Sequence, residues 1–239
     1  MFAAKDGSLR GTVTYSSLVA VLAHYQAGDW QADVAVVTGD LIQDDSAEAY
    51  AHFHDLLSTL EMPVLCVPGN HDVRDLMQDA LAAPPFHYCG TFERNHWLLV
   101  GIDSCVAERA GGFVTDAEFD RMDRAIAATD AENVLIFLHH PPVKLGSKWL
   151  DTVGMDNGPE SLARFAASGK VRLAIFGHVH QHFVAQHAGL QILATPSTCS
   201  QFAAASEEFA IDDSPPAYRR LELHPDGTHN NELVWVGEA

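Results

Sequence analysis

Two runs constrain this chain more than any other feature: "NVLIFLHHPP" (133–142) and "VRLAIFGHVH" (171–180). Each is a short, unbroken apolar stretch, too brief for a typical buried helix and rich in β-branched or aromatic residues. A strand that is apolar on both faces must be covered on both faces. "DVAVVTGD" (33–40), "MPVLCVPGNHD" (62–72) and "HWLLVGIDS" (96–104) read the same way.

Between these runs lie amphipathic stretches. "TYSSLVAVLAHYQAGD" carries Leu18, Val19, Leu22 and Tyr25 at helical spacing and stops at Gly28. "DSAEAYAHFHDLLSTL" opens with Asp45 and Glu48 in capping positions, and "TDAEFDRMDRAIAAT" opens with a Thr115–Glu118 capping box. Short helices are predicted near 74–82 and 159–168. Two later segments, 181–197 and 218–236, read as hairpins, the second turning at Pro225, Asp226 and Gly227. Strands alternating with helices specify an α/β layered fold, and the hairpins make some strands antiparallel. With 239 residues and no internal repeat, the chain is expected to form one domain, 1–239.

Charge narrows the partners. A net charge of −18 argues against nucleic acid and against an anionic membrane, both of which need a basic face. It does not oppose a phosphate ligand where a local cation supplies the field. Four widely spaced cysteines without a CxxC pair point to a reduced, cytoplasmic setting. No run approaches the roughly 18 apolar residues of a membrane helix, and no leader peptide is visible at the start. Oligomeric state is left open, a dimer included.

Four of the buried runs end in polar clusters: "VVTGD" gives Asp40, "CVPGNHD" gives Asn70, His71 and Asp72, "IFLHH" gives His139 and His140, and "IFGHVH" gives His178 and His180. Ligands in α/β sheets gather at the carboxyl ends of strands, so these clusters can meet. On an extended backbone His178 and His180, two residues apart, would face one point. Imidazoles mixed with carboxylate and amide oxygens, and no thiolate, suit Mn, Fe, Zn or Co.

Taken together, "GDLIQD", "GNHD", "HHPP" and "GHVH" resemble the calcineurin-like metallophosphoesterases. The likeness is closest to the bacterial class III 3′,5′-cyclic AMP phosphodiesterases, and extends to "FAAKDG", "GSKWLD", "LATPSTCSQF" and "YRRLELHPDGT". The resemblance implies a four-layer αββα sandwich of two mixed sheets flanked by helices, with two divalent metals at the strand ends. It implies that Asp40 bridges the metals, that Asn70, His139 and His178 complete one site, and that His180 serves the other. It makes His71 the group that protonates the leaving oxygen or steadies the phosphate, with Asn70 and His140 as further substrate contacts. Asp44 and Asp72 become candidates for orienting the ligand histidines.

One family motif is missing. The Asp-x-His at the end of the first strand, which supplies two ligands to the metal that His180 serves, does not occur here; the chain opens "MFAAKDGSLRG". The first core strand is therefore expected to be absent and the second metal site incomplete, with Asp6 a poor substitute. Either Met1 is internal to a longer protein or the chain is truncated; the cost of an open sheet edge favours the first.

The function these residues imply is metal-dependent hydrolysis of a small phosphodiester, 3′,5′-cyclic AMP or a relative, by a hydroxide held between two metals. The alternative is a weak or inactive relative that binds one metal or a nucleotide without turnover. A third reading is a structural remnant that binds no metal. Phe202 and Trp149 could stack on a base, but packing accounts for each more simply. Cys199 reads as a small packing residue rather than a nucleophile.

Overall fold

The computed structural model describes residues 1–237. A small hairpin, β1 (Ser8–Leu9) and β2 (Thr12–Val13), leads into α1 (Thr14–Ala27). β3 (Ala35–Val37), α2 (Ala47–Ser58), β4 (Val64–Cys66), α3 (Arg74–Ala80) and β5 (Phe86–Tyr88) come after it. Next are β6 (Thr91–Arg94), β7 (Trp97–Gly101), α4 (Asp116–Ala128), β8 (Asn133–Leu138), a single helical turn (Leu150–Thr152), α5 (Gly158–Ala167) and β9 (Val171–Phe176). The remainder is strand: β10 (Phe183–His187), β11 (Leu190–Ala194), β12 (Gln201–Phe202), β13 (Ile211–Asp212), β14 (Ala217–Leu223) and β15 (His229–Trp235).

The strands form two main sheets. One has the order β10-β11-β9-β8-β7-β6, parallel from β11 to β7 with an antiparallel strand at each edge. The other is the parallel trio β3-β4-β5, and the β14–β15 hairpin is paired only with itself.

The apolar runs explain the layering residue by residue. Along β8, Val134, Ile136 and Leu138 pack in a cluster with Phe119 and Met122 of α4 and Phe165 of α5. The alternate residues, Leu135 and Phe137, pack in a second cluster with Leu65 and Val67 from β4 and its end. On β4 itself, Val64 and Cys66 turn the other way, towards Tyr50 and Phe53 of α2 and Met77 of α3. Three clusters thus separate four layers in the order helix, sheet, sheet, helix, the αββα arrangement expected. Each fully buried Leu, Ile or Phe contributes about 1.5–3 kcal/mol, which holds the strands rigidly enough to aim the polar residues at their ends.

Local sequence signals agree with the elements formed, with two differences at helix starts. Ser46, not Asp45, caps α2, its hydroxyl accepting from Ala49 N–H; Asp45 instead takes a left-handed φ of 52° in the preceding turn. At α4 the Thr115 hydroxyl does accept from Glu118 N–H, but the Glu118 carboxylate is drawn away to Asp103 N–H and Arg121. A partly buried donor and a guanidinium outcompete the cap.

β3 is the weak point of its sheet. β4 is fully buried, whereas every residue of β3 is only partly so. Among the described residues no strand pairs with its outer edge. A cavity of about 860 Å³ runs from Val34 and Val36 to Tyr218 and Leu221 of β14, and reaches the carboxyl ends of the strands.

Candidate metal centre

The polar residues at the strand ends come together because the glycines before them let two backbones touch. A Cβ on Gly69 would lie 2.1 Å from Asp40 Oδ1, so no side chain is possible there. Gly39 has a φ of +96°, and a Cβ on it would meet His139 Nδ1 at 2.6 Å. Asp40, His178 and His180 are themselves left-handed, with φ of 57°, 63° and 46°. Such conformations cost on the order of 1–3 kcal/mol each for non-glycine residues and gather where function requires them.

Asp72 locks the two loops. Its carboxylate accepts from Gly69 N–H at 2.8 Å, Leu41 N–H at 3.1 Å, Ile42 N–H at 3.3 Å and the Tyr50 hydroxyl at 3.0 Å. Burial, with the nearby Asp40 charge, raises its pKa to about 6. Asp44 accepts from Ala3 N–H and the Ser46 hydroxyl. Neither carboxylate touches a ligand histidine, contrary to expectation: both serve backbone donors that the tight turns leave unpaired.

The histidines are oriented by main-chain carbonyls instead. His139 Nδ1–H donates to Thr38 O at 2.7 Å, leaving a lone pair on Nε2. Asn70 Oδ1 lies 3.2 Å from that nitrogen, His178 Nδ1 3.1 Å and Asp40 Oδ2 3.4 Å. Donor atoms held by one cation at about 2.1 Å and near 90–110° stand about 3.0–3.4 Å apart. Asp40, Asn70 and His178 thus each place a donor atom at that spacing from His139 Nε2, the separation two ligands of one divalent ion require. Burial by itself would lower the pKa of His139, but the Asp40 carboxylate outweighs it and draws a proton onto the ring; a metal would replace that proton. The same pairing holds Asp40 well below the usual carboxylate range, against the opposing effect of its burial. Burial, reinforced by the His139 charge, lowers His178 to about 3. Burial lowers His180 to about 4, the Asp40 charge only partly opposing it. Both are neutral at pH 7, as coordination requires.

His178 and His180 do not face one point by strand alternation. β9 ends at Phe176, and both histidines sit in the turn beyond it. His180 Nδ1–H donates to Ser200 O at 2.8 Å, and the ring stacks on Phe202 with centroids 4.2 Å apart. That leaves Nε2 of His180 free on the opposite side. Among the described residues, Asp40 and His180 are the two expected ligands of the second position, and Asp6 is exposed.

His140 needs correcting. It is fully buried, its Nε2–H donates to Ala110 O at 3.1 Å, and Nδ1 accepts from the Ser104 hydroxyl at 2.9 Å. With both ring nitrogens engaged it cannot contact substrate or metal, although its ring lies within the same histidine cluster. His71, in contrast, is exposed. Its backbone N–H donates to Asp40 Oδ1 at 3.0 Å, and the Gln43 amide donates to Nδ1 at 2.9 Å. The neutral ring then carries its proton on Nε2.

The family model for calcineurin-like phosphoesterases matches residues 12–182, a span that holds Asp40, Asn70, His71, His139, His178 and His180. The chain belongs to the calcineurin-like phosphoesterase family. Among its relatives is the 3′,5′-cyclic adenosine monophosphate phosphodiesterase CpdA of Vibrio vulnificus, 35% identical over 95% of this chain and 83% of that protein. CpdA of Escherichia coli K12 is 34% identical over 98% and 85%, and the 3′,5′-cyclic-nucleotide phosphodiesterase alr5338 of Nostoc is 31% identical over 99% and 89%. The fold recurs in a dimetal phosphatase from Danio rerio, with a TM-score of 0.59 at 14% identity over 94% of this chain and 88% of that one. It recurs too in the Plasmodium inner-membrane-complex anchor GAP50, with a TM-score of 0.67 at 12% identity over 99% and 83%. The family implies divalent metal ions, and the histidine cluster at the strand ends could hold one. Among the described residues no helix is long and apolar enough to cross a membrane.

Thr38, Ser200 and Gln43, which set the histidine tautomers, escape a reading of the sequence. Two of them act through backbone carbonyls, which every residue has.

Proposed function

We propose that this chain is a metal-dependent phosphodiesterase acting on 3′,5′-cyclic AMP or a closely related small phosphodiester. The observation that carries the reading is the convergence of Asp40, Asn70 and His178 on His139 Nε2. Support for the substrate comes from the relatives, three of which carry cyclic-nucleotide phosphodiesterase names over most of their length.

Asp40, Asn70, His139 and His178 would hold one divalent ion of the Mn, Fe, Zn or Co type, and Asp40 with His180 a second. Such ions supply positive field to the phosphoryl oxygens and bring the pKa of water towards neutrality. The chain's own residues do the rest. Asp40 stays ionised at any working pH, and Asn70 adds an oxygen that needs no deprotonation. His71 presents Nε2–H on the exposed side of the centre and, in this tautomer, steadies the phosphate or the departing ribose oxygen by donating a hydrogen bond. Handing over a proton requires the imidazolium, with the Gln43 amide turned to offer its oxygen to Nδ1. Opening the cyclic diester would give 5′-AMP. We take residues 1–239 as one domain, since the centre draws on the ends of both sheets, and the four free thiols suit a reduced cytoplasmic setting.

One observation favours a second reading. The position served by His180 has two protein ligands among the described residues, where the first has four, so one-metal binding without turnover is the competitor.

The test is Mn²⁺-supported hydrolysis of cyclic AMP by the purified 239-residue chain, with Asn70→Ala as control. Turnover that disappears in the control and on chelation supports the proposal. A folded chain that is stabilised by metal, which a chelator-sensitive Tm reveals, yet turns nothing over establishes the second reading.

A further inference from the structure

Beside His180 lies a cluster that the metal chemistry does not use. Phe202 stacks on the His180 ring, and Trp149 packs edge-on to Phe202 at 5.2 Å and to Phe209 at 5.1 Å. Arg10, at the tip of the β1–β2 hairpin, sets its guanidinium 3.9 Å from the Phe209 ring centroid and 5.7 Å from that of Phe202. Arg10 is exposed, and no ion pair among the described residues involves it, in a chain whose net charge is −18. Arg10, Trp149 and Phe202 line the same cavity as Asp40, Asn70 and His180. Sequence reasoning takes Phe202 and Trp149 for packing residues, yet both are only partly buried and Phe209 is 42% exposed.

We propose that Arg10, held by Phe209 and flanked by Trp149 and Phe202, is the nucleobase subsite of this centre. The inference rests on the phosphodiesterase reading and deepens it, by naming what recognises the part of the substrate remote from phosphorus. A guanidinium fixed on one face by an aromatic ring offers its other face to a flat π-system. Its N–H donors match the ring-nitrogen acceptors of a purine. The neighbouring rings add stacking surface that tolerates any base. One aromatic ring, Phe202, separates this shelf from a metal-ligand histidine. A phosphate at the metals therefore leaves the sugar-linked base facing Arg10 across the shared cavity.

The test compares equilibrium binding of 5′-AMP and of ribose 5-phosphate to the Mn²⁺-loaded chain by calorimetry. The wild type is set against Arg10→Ala and Arg10→Lys. Base stacking on aromatic and guanidinium planes is worth about ten- to a hundred-fold in affinity. Arg10→Ala is expected to weaken 5′-AMP by about ten-fold or more and to leave ribose 5-phosphate unchanged. Arg10→Lys, which keeps the charge and loses the plane, should behave like the alanine variant. Equal weakening of both ligands, with rescue by lysine, would make Arg10 a phosphate contact and overturn the proposal, as would no change for either. Selective loss of 5′-AMP binding in a chain without cyclic AMP turnover would retain the subsite and remove only the hydrolytic reading.

Discussion

Replacing Gly69 by alanine tests the geometry of the centre through a residue that is not itself one of its expected ligands. Gly69 does not have a positive φ, so alanine meets no torsional penalty; the whole effect comes from contact. The new Cβ would stand 2.1 Å from Asp40 Oδ1 and 2.3 Å from Asp40 N. An ordinary carbon–oxygen contact is about 3.3 Å, so the two loops must separate by about 1.2 Å. Asp40 N, at 2.3 Å, is backbone, so a change of the Asp40 rotamer alone does not relieve the clash. In the proposed centre Asp40 serves both metal positions, and a misplacement of about 1 Å costs on the order of a hundred-fold in rate. Gly69→Ala is therefore expected to fold, to need far more Mn²⁺ for half-maximal activity, and to lose about two orders of magnitude in kcat/KM. Gly154→Ala, whose Cβ would meet nothing closer than 3.7 Å, is the control that should change neither. Measuring Mn²⁺ titrations of activity and the Mn²⁺-induced rise in Tm on both variants decides it. A Gly69→Ala chain with wild-type metal dependence would refute the loop contact on which the centre is built.

Two further expectations concern stability. In the metal-free chain burial keeps His140, His178 and His180 neutral below the usual histidine pKa of 6.5, to about 3 for His178 and about 4 for His180. The unfolded chain takes up those three protons as pH falls through 6.5. Asp72, raised to about 6, works the other way with one proton held in the folded state. The unfolded chain then binds more protons than the folded one, so stability falls as pH drops below about 6; urea melts in chelator at pH 7, 6 and 5 check this, and unchanged stability at pH 5 would contradict it. Asp72→Ala strands the N–H groups of Gly69, Leu41 and Ile42, and should cost about 3 kcal/mol; a loss under about 0.5 kcal/mol by urea unfolding would mean water serves them equally well.

Much of the molecule is legible in its residues, and the failures have particular causes. The unbroken apolar runs "NVLIFL" and "VLCV" mark strands apolar on both faces, hence buried between layers. Asp40, Asn70, His139 and His178 stand at the ends of such runs and do converge. His139 and His140 illustrate the limit. They are consecutive and chemically identical, yet one points Nε2 at Asp40 and the other is sealed under Ser104 and Ala110. β8 ends at Leu138, so both lie in the bend beyond it, and which ring reaches the centre depends on where the second sheet lies. The pleat rule applied to "GHVH" fails because the strand has already ended at Phe176 and both histidines lie in a left-handed turn.

Local pattern in the chain was enough to determine the strands, the layers and the set of side chains gathered at the strand ends. These depend on how far apolar residues run and where glycine releases the backbone, both written in neighbouring residues. Tertiary structure alone decided which ring nitrogen of each histidine is free, that Asp72 braces loops rather than histidines, and that Arg10 reaches the rings beside His180. Those outcomes depend on carbonyls and contacts brought together from distant parts of the chain, and a backbone carbonyl looks the same in every residue.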